Sequence, residues 1–332
     1  MSQDTPRFRN SISLETITTH LQERCSLTVV DVASVDQDVF TVTTKETDRP
    51  LVARIFCQPG VDGYIHDLAQ LLTHLREHGF PAEECSELWP VSKFQDIDGC
   101  VMLTKFASGV APPRNKETFY RLGKLMGKLH NIPIPDKLAN HRAGGWHHVT
   151  LPGGITDECA AVLGMMEKFG TGKPDSENVR HISKLREALT EVHTACLDEL
   201  PLSLVHPDLV PSNIIAEAGT GQYDKWTVVD WAGAGVGPRM PALGFLLAVA
   251  ASRGTFGLVN IVMKGYMESG ARLEPVELGQ CLPICMYERI LILRCWEVAM
   301  GRTEPEVVAT ELPSLLRTAQ EVARRTREVA TR

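Results

Sequence analysis

Residues 202–238 read LSLVHPDLVPSNIIAEAGTGQYDKWTVVDWAGAGVGP, and the reading of the whole chain turns on them. His206, Asp208 and Asn213 stand in an H-x-D-x-x-x-x-N pattern, and Asp230 follows a run of β-formers. Leu202, Leu204 and Val205 give an apolar entry to a buried turn, and Asn213, Ile214 and Ile215 leave it. Gly219-Thr220-Gly221 is turn chemistry before a strand over Trp226, Thr227, Val228 and Val229. A hairpin of this kind brings Asn213 beside Asp230, although 17 positions separate them. Singly, each residue has an ordinary explanation: a capping His, a turn Asp, a strand-end Asp. All four together, on a strand-loop-strand context, point to a site.

The separations are those of the protein-kinase catalytic loop, H-R-D-L-x-x-x-N, with Asp230 in the place of the Asp of D-F-G. Phosphoryl transfer needs few protein groups: a carboxylate to orient the hydroxyl, and an Asn and a second Asp to hold Mg²⁺ against the phosphates. The runs VHPDLVPSNII and VVDWAGAGVGP resemble the HGDLHPGNIL and IDWEGAGxGP signature of the aminoglycoside phosphotransferase family, which is itself similar to choline and homoserine kinases. Residues 122–133, LGKLMGKLHNIP, and 71–82, LLTHLREHGFPA, resemble two of its helices more loosely. The resemblance implies an α+β, two-lobed protein-kinase-like fold. Residues 1–106 would form a small antiparallel-sheet lobe over a nucleotide, and 107–332 a larger, mainly helical lobe with the catalytic and acceptor sites. It also implies Mg²⁺-dependent transfer of the γ-phosphoryl group of ATP or GTP to a small-molecule hydroxyl. Asp208 would orient the acceptor and take its proton, Asn213 and Asp230 would hold the metal, and His206 would brace the loop.

Upstream, residues 13–24 read as a capped helix from Ser13, and strands follow over 27–30, 39–43 and 51–56. The turn over residues 34–38 should cover phosphates, yet it holds no glycine. Arg54 occupies the strand position where the family carries its phosphate-contacting cation; a guanidinium grips phosphate oxygens at two points. The bland alternative is a surface Arg on an edge strand. The helix over 64–78 presents Leu68, Leu71, Leu72 and Leu75 on one face. Its family counterpart supplies a Glu that pairs with the strand cation. Here that position falls at Asp67 or Leu68, and Asp67 serves equally well as a solvated first-turn Asp. Met102, Thr104 and Phe106, on the strand and connection after Pro90, are candidates for the cofactor wall. A helix over 118–131 carries Gly123 and Gly127, which would let another element approach, and His130 at its end reads as structural. Trp146, His147 and His148 form either a stacking wall or a loop tucked onto the core. Ala242 stands where the family shows a second Asp, which implies altered packing. A face of Met286, Ile290, Leu293 and Glu297 marks a late helix.

Composition narrows the partners. The chain has 332 residues, 43% hydrophobic and 23% charged, with a net charge of −7 and no basic block, which argues against nucleic acid. It shows no apolar run of membrane-spanning length and no signal-peptide core near its start, and its nine Cys lack metal spacing, so the expectation is a cytoplasmic protein with reduced thiols. Residues 1–106 hold 16 Asp/Glu and 9 Lys/Arg, whereas 107–332 hold 25 of each. A strongly cationic aminoglycoside would be better served by excess carboxylates in the acceptor half. The resemblance implies an antibiotic acceptor of aminoglycoside, macrolide or nucleoside type, and the charge balance slightly favours the less cationic of these. The alternatives are a choline- or homoserine-type metabolic kinase, whose choline site would need an aromatic cage (Tyr266, Tyr287, Trp296), and a nucleotide-binding pseudokinase.

Overall fold

The computed structural model describes residues 12–36, 38–57, 61–94, 98–143, 159, 162–166, 177–195, 200–217, 225–277 and 282–330. Trp146, His147 and His148 lie outside the described residues. The chain divides into two compact units, 1–108 and 109–332.

The first unit is a five-stranded antiparallel sheet of β1 (Val29–Asp36), β2 (Val39–Thr44), β3 (Leu51–Phe56), β4 (Val91–Lys93) and β5 (Cys100–Lys105), in the order β1-β2-β3-β5-β4. Alternation along β3 sends Leu51, Ala53 and Ile55 to one face, where α1 (Leu14–Arg24) covers them with Ile17 and Leu21. Burying each of those two side chains contributes about 1.5–3 kcal/mol. The Ser13 hydroxyl caps α1 by accepting the Thr16 N–H at 3.1 Å. The β1–β2 turn replaces the missing glycine with Asp38, which takes the left-handed conformation at φ 57°.

Helix α2 (Val61–Glu77) buries Leu68, Leu71, Leu72 and Leu75 as its spacing requires. It ends in a Schellman motif at Gly79 (φ 64°): the Phe80 N–H reaches the Leu75 carbonyl at 2.9 Å and the Gly79 N–H the Arg76 carbonyl at 2.8 Å. The chain then turns to run beside β5, with Ser86 N–H on Leu103 O (2.8 Å) and Lys105 N–H on Glu84 O (2.7 Å).

In the second unit, α3 (Lys116–Asn131), capped by the Asn115 side chain, packs closely on α6 (Gly257–Glu268) through Gly123, Gly127 and Gly265. Helices α4 (Glu177–Ala195), α5 (Arg239–Ala251), α7 (Leu282–Ala299) and α8 (Pro305–Ala330) also lie in this unit. Among the described residues no helix is long and apolar enough to cross a membrane. Helix α7 packs against α4, α5 and α8, so it is buried on several sides. Its buried set includes Cys285, Met286, Leu291, Ile292 and Cys295, whereas Ile290 and Leu293 remain part-exposed. The late helix read from the sequence is present, and the shared face of Met286, Ile290, Leu293 and Glu297 is, beyond Met286, its less buried side. Ala242, with 5% exposure, lies buried on α5. Close by in sequence, Arg239 grips the buried Glu277 with two hydrogen bonds of 2.7 and 2.5 Å.

His130 is the structural residue expected: buried, with Nδ1 against the Tyr266 hydroxyl at 3.0 Å. Burial, with a smaller push from Arg239, holds its pKa down to about 3. The unfolded chain binds a proton here below about pH 6.5, whereas the native state does not. Its contribution to stability is thus fully present above that pH and is lost as the solution is acidified towards 3. Denaturation of the wild type and His130→Gln across pH 7.5 to 4.5 should show the stability gap between them shrinking as pH falls. A pH-independent gap would remove His130 from the acid sensitivity.

Candidate active site

Two short ladders in the second unit clamp the stretch of residues 202–238. Strand β6 (Leu202–Val205) pairs with β9 (Gly235–Pro238), and β7 (Ile214–Ala216) with β8 (Trp226–Val228), both antiparallel. Gly235 is obligatory, because a Cβ there would lie 2.6 Å from His141 O and 2.7 Å from Ala143 N. Between β6 and β7 the chain makes a single turn over Pro211–Asn213. Ile214 pairs with Val228, and the Val229 N–H then reaches Asn213 O at 3.0 Å. The hairpin read in the sequence thus sets Asn213 one residue from alignment with Asp230.

His206 ties the two halves together. It is fully buried; its Nδ1 accepts the Asp208 backbone N–H at 3.1 Å and its Nε2 donates to Val229 O at 3.1 Å. Those partners fix the neutral Nε2–H tautomer. The buried Trp231 meets the ring edge-on at 4.7 Å and donates its indole N–H to Val228 O at 2.8 Å. Protonating His206 would turn Nδ1 from acceptor to donor, so its role here is to brace.

Asn213 Nδ2 donates to both the backbone O and the carboxylate Oδ2 of Asp208, each at 2.9 Å. Asp230 adopts φ 67°, a left-handed conformation sparsely populated by residues with a Cβ. The Asp208 carboxyl is pushed up to about 6, first by burial and then by the charge of Asp230, against opposing effects of the Asn213 hydrogen bond and the Arg289 cation. The result is a carboxylate more basic than usual, suited to receive a proton. Arg289, on α7, is 4% exposed and was not singled out by the sequence, since a buried Arg on a helix carries no motif.

The donor chemistry fits a hard divalent cation. With its amide N–H₂ turned to Asp208, Asn213 presents Oδ1 as its remaining donor atom, and Asp230 adds carboxylate oxygens; an all-oxygen set suits Mg²⁺.

In the first unit, β3–β5 pairing sets Arg54 opposite Met102 and Val52 opposite Thr104. Met102 is fully buried, Thr104 is 2% exposed, and Phe106, just past β5, is 38% exposed. Leu68 is fully buried, whereas Asp67, on α2, is half-buried. Arg54 Nη2 lies 3.9 Å from Oε2 of Glu83, a residue the sequence reading passed over. Nothing local marks Glu83: it is one of two adjacent carboxylates after Pro81, brought near Arg54 only by tertiary pairing.

A small antiparallel sheet, a helical unit and a His-Asp-Asn-Asp cluster on paired hairpins define a small-molecule kinase of protein-kinase-like fold. The chain belongs to the phosphotransferase enzyme family, whose family model matches residues 28–272. Among solved structures, it is similar to a microcompartment-associated aminopropanol kinase, at 17% identity over 96% of this chain and 98% of that one, with a TM-score of 0.61. The choline kinase LicA from Streptococcus pneumoniae is similar at 13% identity over 93% and 98%, with a TM-score of 0.59. Spectinomycin phosphotransferase APH(9)-Ia, solved with ADP and spectinomycin, is similar at 9% identity over 96% and 99%, with a TM-score of 0.57. At these identities the likeness is one of fold. No curated protein sequence matches the chain.

Proposed function

We propose that this enzyme moves the γ-phosphoryl group of ATP or GTP to a hydroxyl of a small molecule, with Asp208 as the residue that orients the hydroxyl and takes its proton. The observation that carries the reading is the cluster itself: Asp208 hydrogen-bonded to Asn213, beside Asp230, on a loop locked by His206. Asn213 and Asp230 would hold Mg²⁺, which when bound supplies positive charge against the phosphates. Positioning of the acceptor oxygen and removal of its proton fall to Asp208, whose raised basicity serves that step at neutral pH. Arg54, in the first unit, would grip the triphosphate, and Phe106, exposed beyond β5, is the wall candidate with free surface for a nucleotide.

For the acceptor, the balanced charge of residues 107–332 favours a weakly cationic antibiotic hydroxyl over a polycationic aminoglycoside. A metabolic amino-alcohol kinase is the second reading, supported by the fold likeness to the aminopropanol and choline kinases. Within that reading, a quaternary ammonium is disfavoured, because Tyr266 is fully buried with its hydroxyl against His130, so it cannot join an open cage. Incubating the purified protein with γ-labelled ATP or GTP, Mg²⁺ and a panel of macrolides, nucleoside antibiotics, aminoglycosides and amino alcohols should label a hydroxyl of one class. Label appearing only on amino alcohols would overturn the antibiotic reading, and binding without transfer to any hydroxyl, retained in the Asp208→Asn variant, would leave no role for Asp208.

A further inference from the structure

Arg54 needs a partner. A guanidinium always carries its charge, and this one has only 12% of its side chain exposed. The family pattern would draw that partner from α2, where this chain offers Leu68, buried in the core, or Asp67.

The geometry points to Glu83 as the positioning carboxylate for Arg54, delivered by the segment after α2 and not by the helix, and held in turn by Thr104. This assignment rests on the reading of Arg54 as a triphosphate contact. Three features place Glu83. The Schellman stop at Gly79 reverses the chain out of α2. Cys85 then bridges Thr104 in antiparallel fashion, flanked by the Ser86–Leu103 and Glu84–Lys105 backbone bonds, so the segment is fixed to β5. The Glu83 side chain, 4% exposed, sets Oε2 against Arg54 Nη2 at 3.9 Å while accepting the Thr104 hydroxyl at 3.1 Å.

A carboxylate this buried is costly to desolvate, and the Thr104 bond together with the guanidinium offsets that cost only in one geometry. The contact with Arg54 is one of charge at 3.9 Å and not a close two-point fork, so it orients the cation without the fork geometry a phosphate would use. The hydroxyl of Thr104 is committed to Glu83, which makes Thr104 a support for the cation.

Glu83→Gln preserves shape and an acceptor for Thr104 while removing the charge. In the full-length protein, its Kd for whichever of ATP and GTP the wild type binds should rise about tenfold, equivalent to about 1.4 kcal/mol. The same change made on Arg54→Ala should add almost nothing, because the interaction it serves is already gone. Thr104→Val, which keeps both charges, should weaken nucleotide binding by about three-fold and lower thermal stability, because the buried Glu83 oxygen loses its hydroxyl donor. A Kd within two-fold of wild type for Glu83→Gln, or full additivity with Arg54→Ala, overturns the assignment. If Glu83→Gln does not fold, Thr104→Val and Glu83→Asp decide it by the same two-fold limit. If Asp208→Asn abolishes transfer while the Glu83 variants bind as wild type does, only this inference fails. If the wild type binds neither nucleotide, the functional reading fails first and takes the inference with it.

Discussion

Replacing Asp208 with Asn should lower kcat at least about 100-fold while leaving nucleotide Kd within about three-fold of wild type. The substitution is nearly isosteric, and its supports survive it. The backbone N–H of residue 208 still donates to His206 Nδ1, and the side-chain oxygen still accepts from Asn213 Nδ2. What goes is the basic oxygen pair, which burial and the neighbouring Asp230 have made ready to accept a proton. Removing a charge beside Asp230 also relieves repulsion, so the variant should be no less stable to heat than the wild type. Rapid turnover by a well-folded Asp208→Asn protein would exclude this residue from the proton transfer; loss of folding would instead mark it as structural.

Gly123→Ala should destabilise the protein by about 3 kcal/mol, a large cost for one methyl group on a helix. Its Cβ would collide with the carbonyl oxygen of Val262 and sit 2.9 Å from that carbonyl carbon and 3.1 Å from Tyr266 N. These are backbone atoms of α6, which cannot swing aside as a side chain would. Gly265 answers from the other helix, where a Cβ would strike the carbonyl oxygen of Tyr120. The helices are thus in backbone contact, and the added methyl must force them apart. Gly63 on α2 supplies the control: a Cβ there meets nothing within 4 Å. Gly63→Ala should therefore stabilise by about 0.5–1 kcal/mol through helix propensity. Denaturant titration of the two variants should give opposite signs. Equal, small effects at both positions would show that α3 and α6 do not pack this closely in solution.

Much of this protein is legible in its sequence, and the reasons are local. Alternation marked β3 to the residue, Leu51–Phe56, because one face of that strand is core and the other is not. The 3.6-residue spacing of Leu68, Leu72 and Leu75 found α2, and Ser13 found the start of α1. His206, Asp208, Asn213 and Asp230 could be paired across a hairpin before any coordinates, since turn chemistry and β-branched runs dictate which residues meet. Gly123 and Gly127 announced a close approach, although not what approached.

The remainder belongs to tertiary structure. A sequence shows which residues carry charge but not which charges are shut away together. Glu83 reaches Arg54 only because Gly79 turns the chain and residues 84–86 then bond to β5. Arg289 acts on Asp208 from α7, a helix buried on several sides. Covalent neighbours and periodicity fixed the elements and the loop of His206, Asp208 and Asn213, because those depend on backbone geometry. The partners that tune the loop and hold the cation depend on low-dielectric contacts between distant segments, and those exist only once the chain has packed.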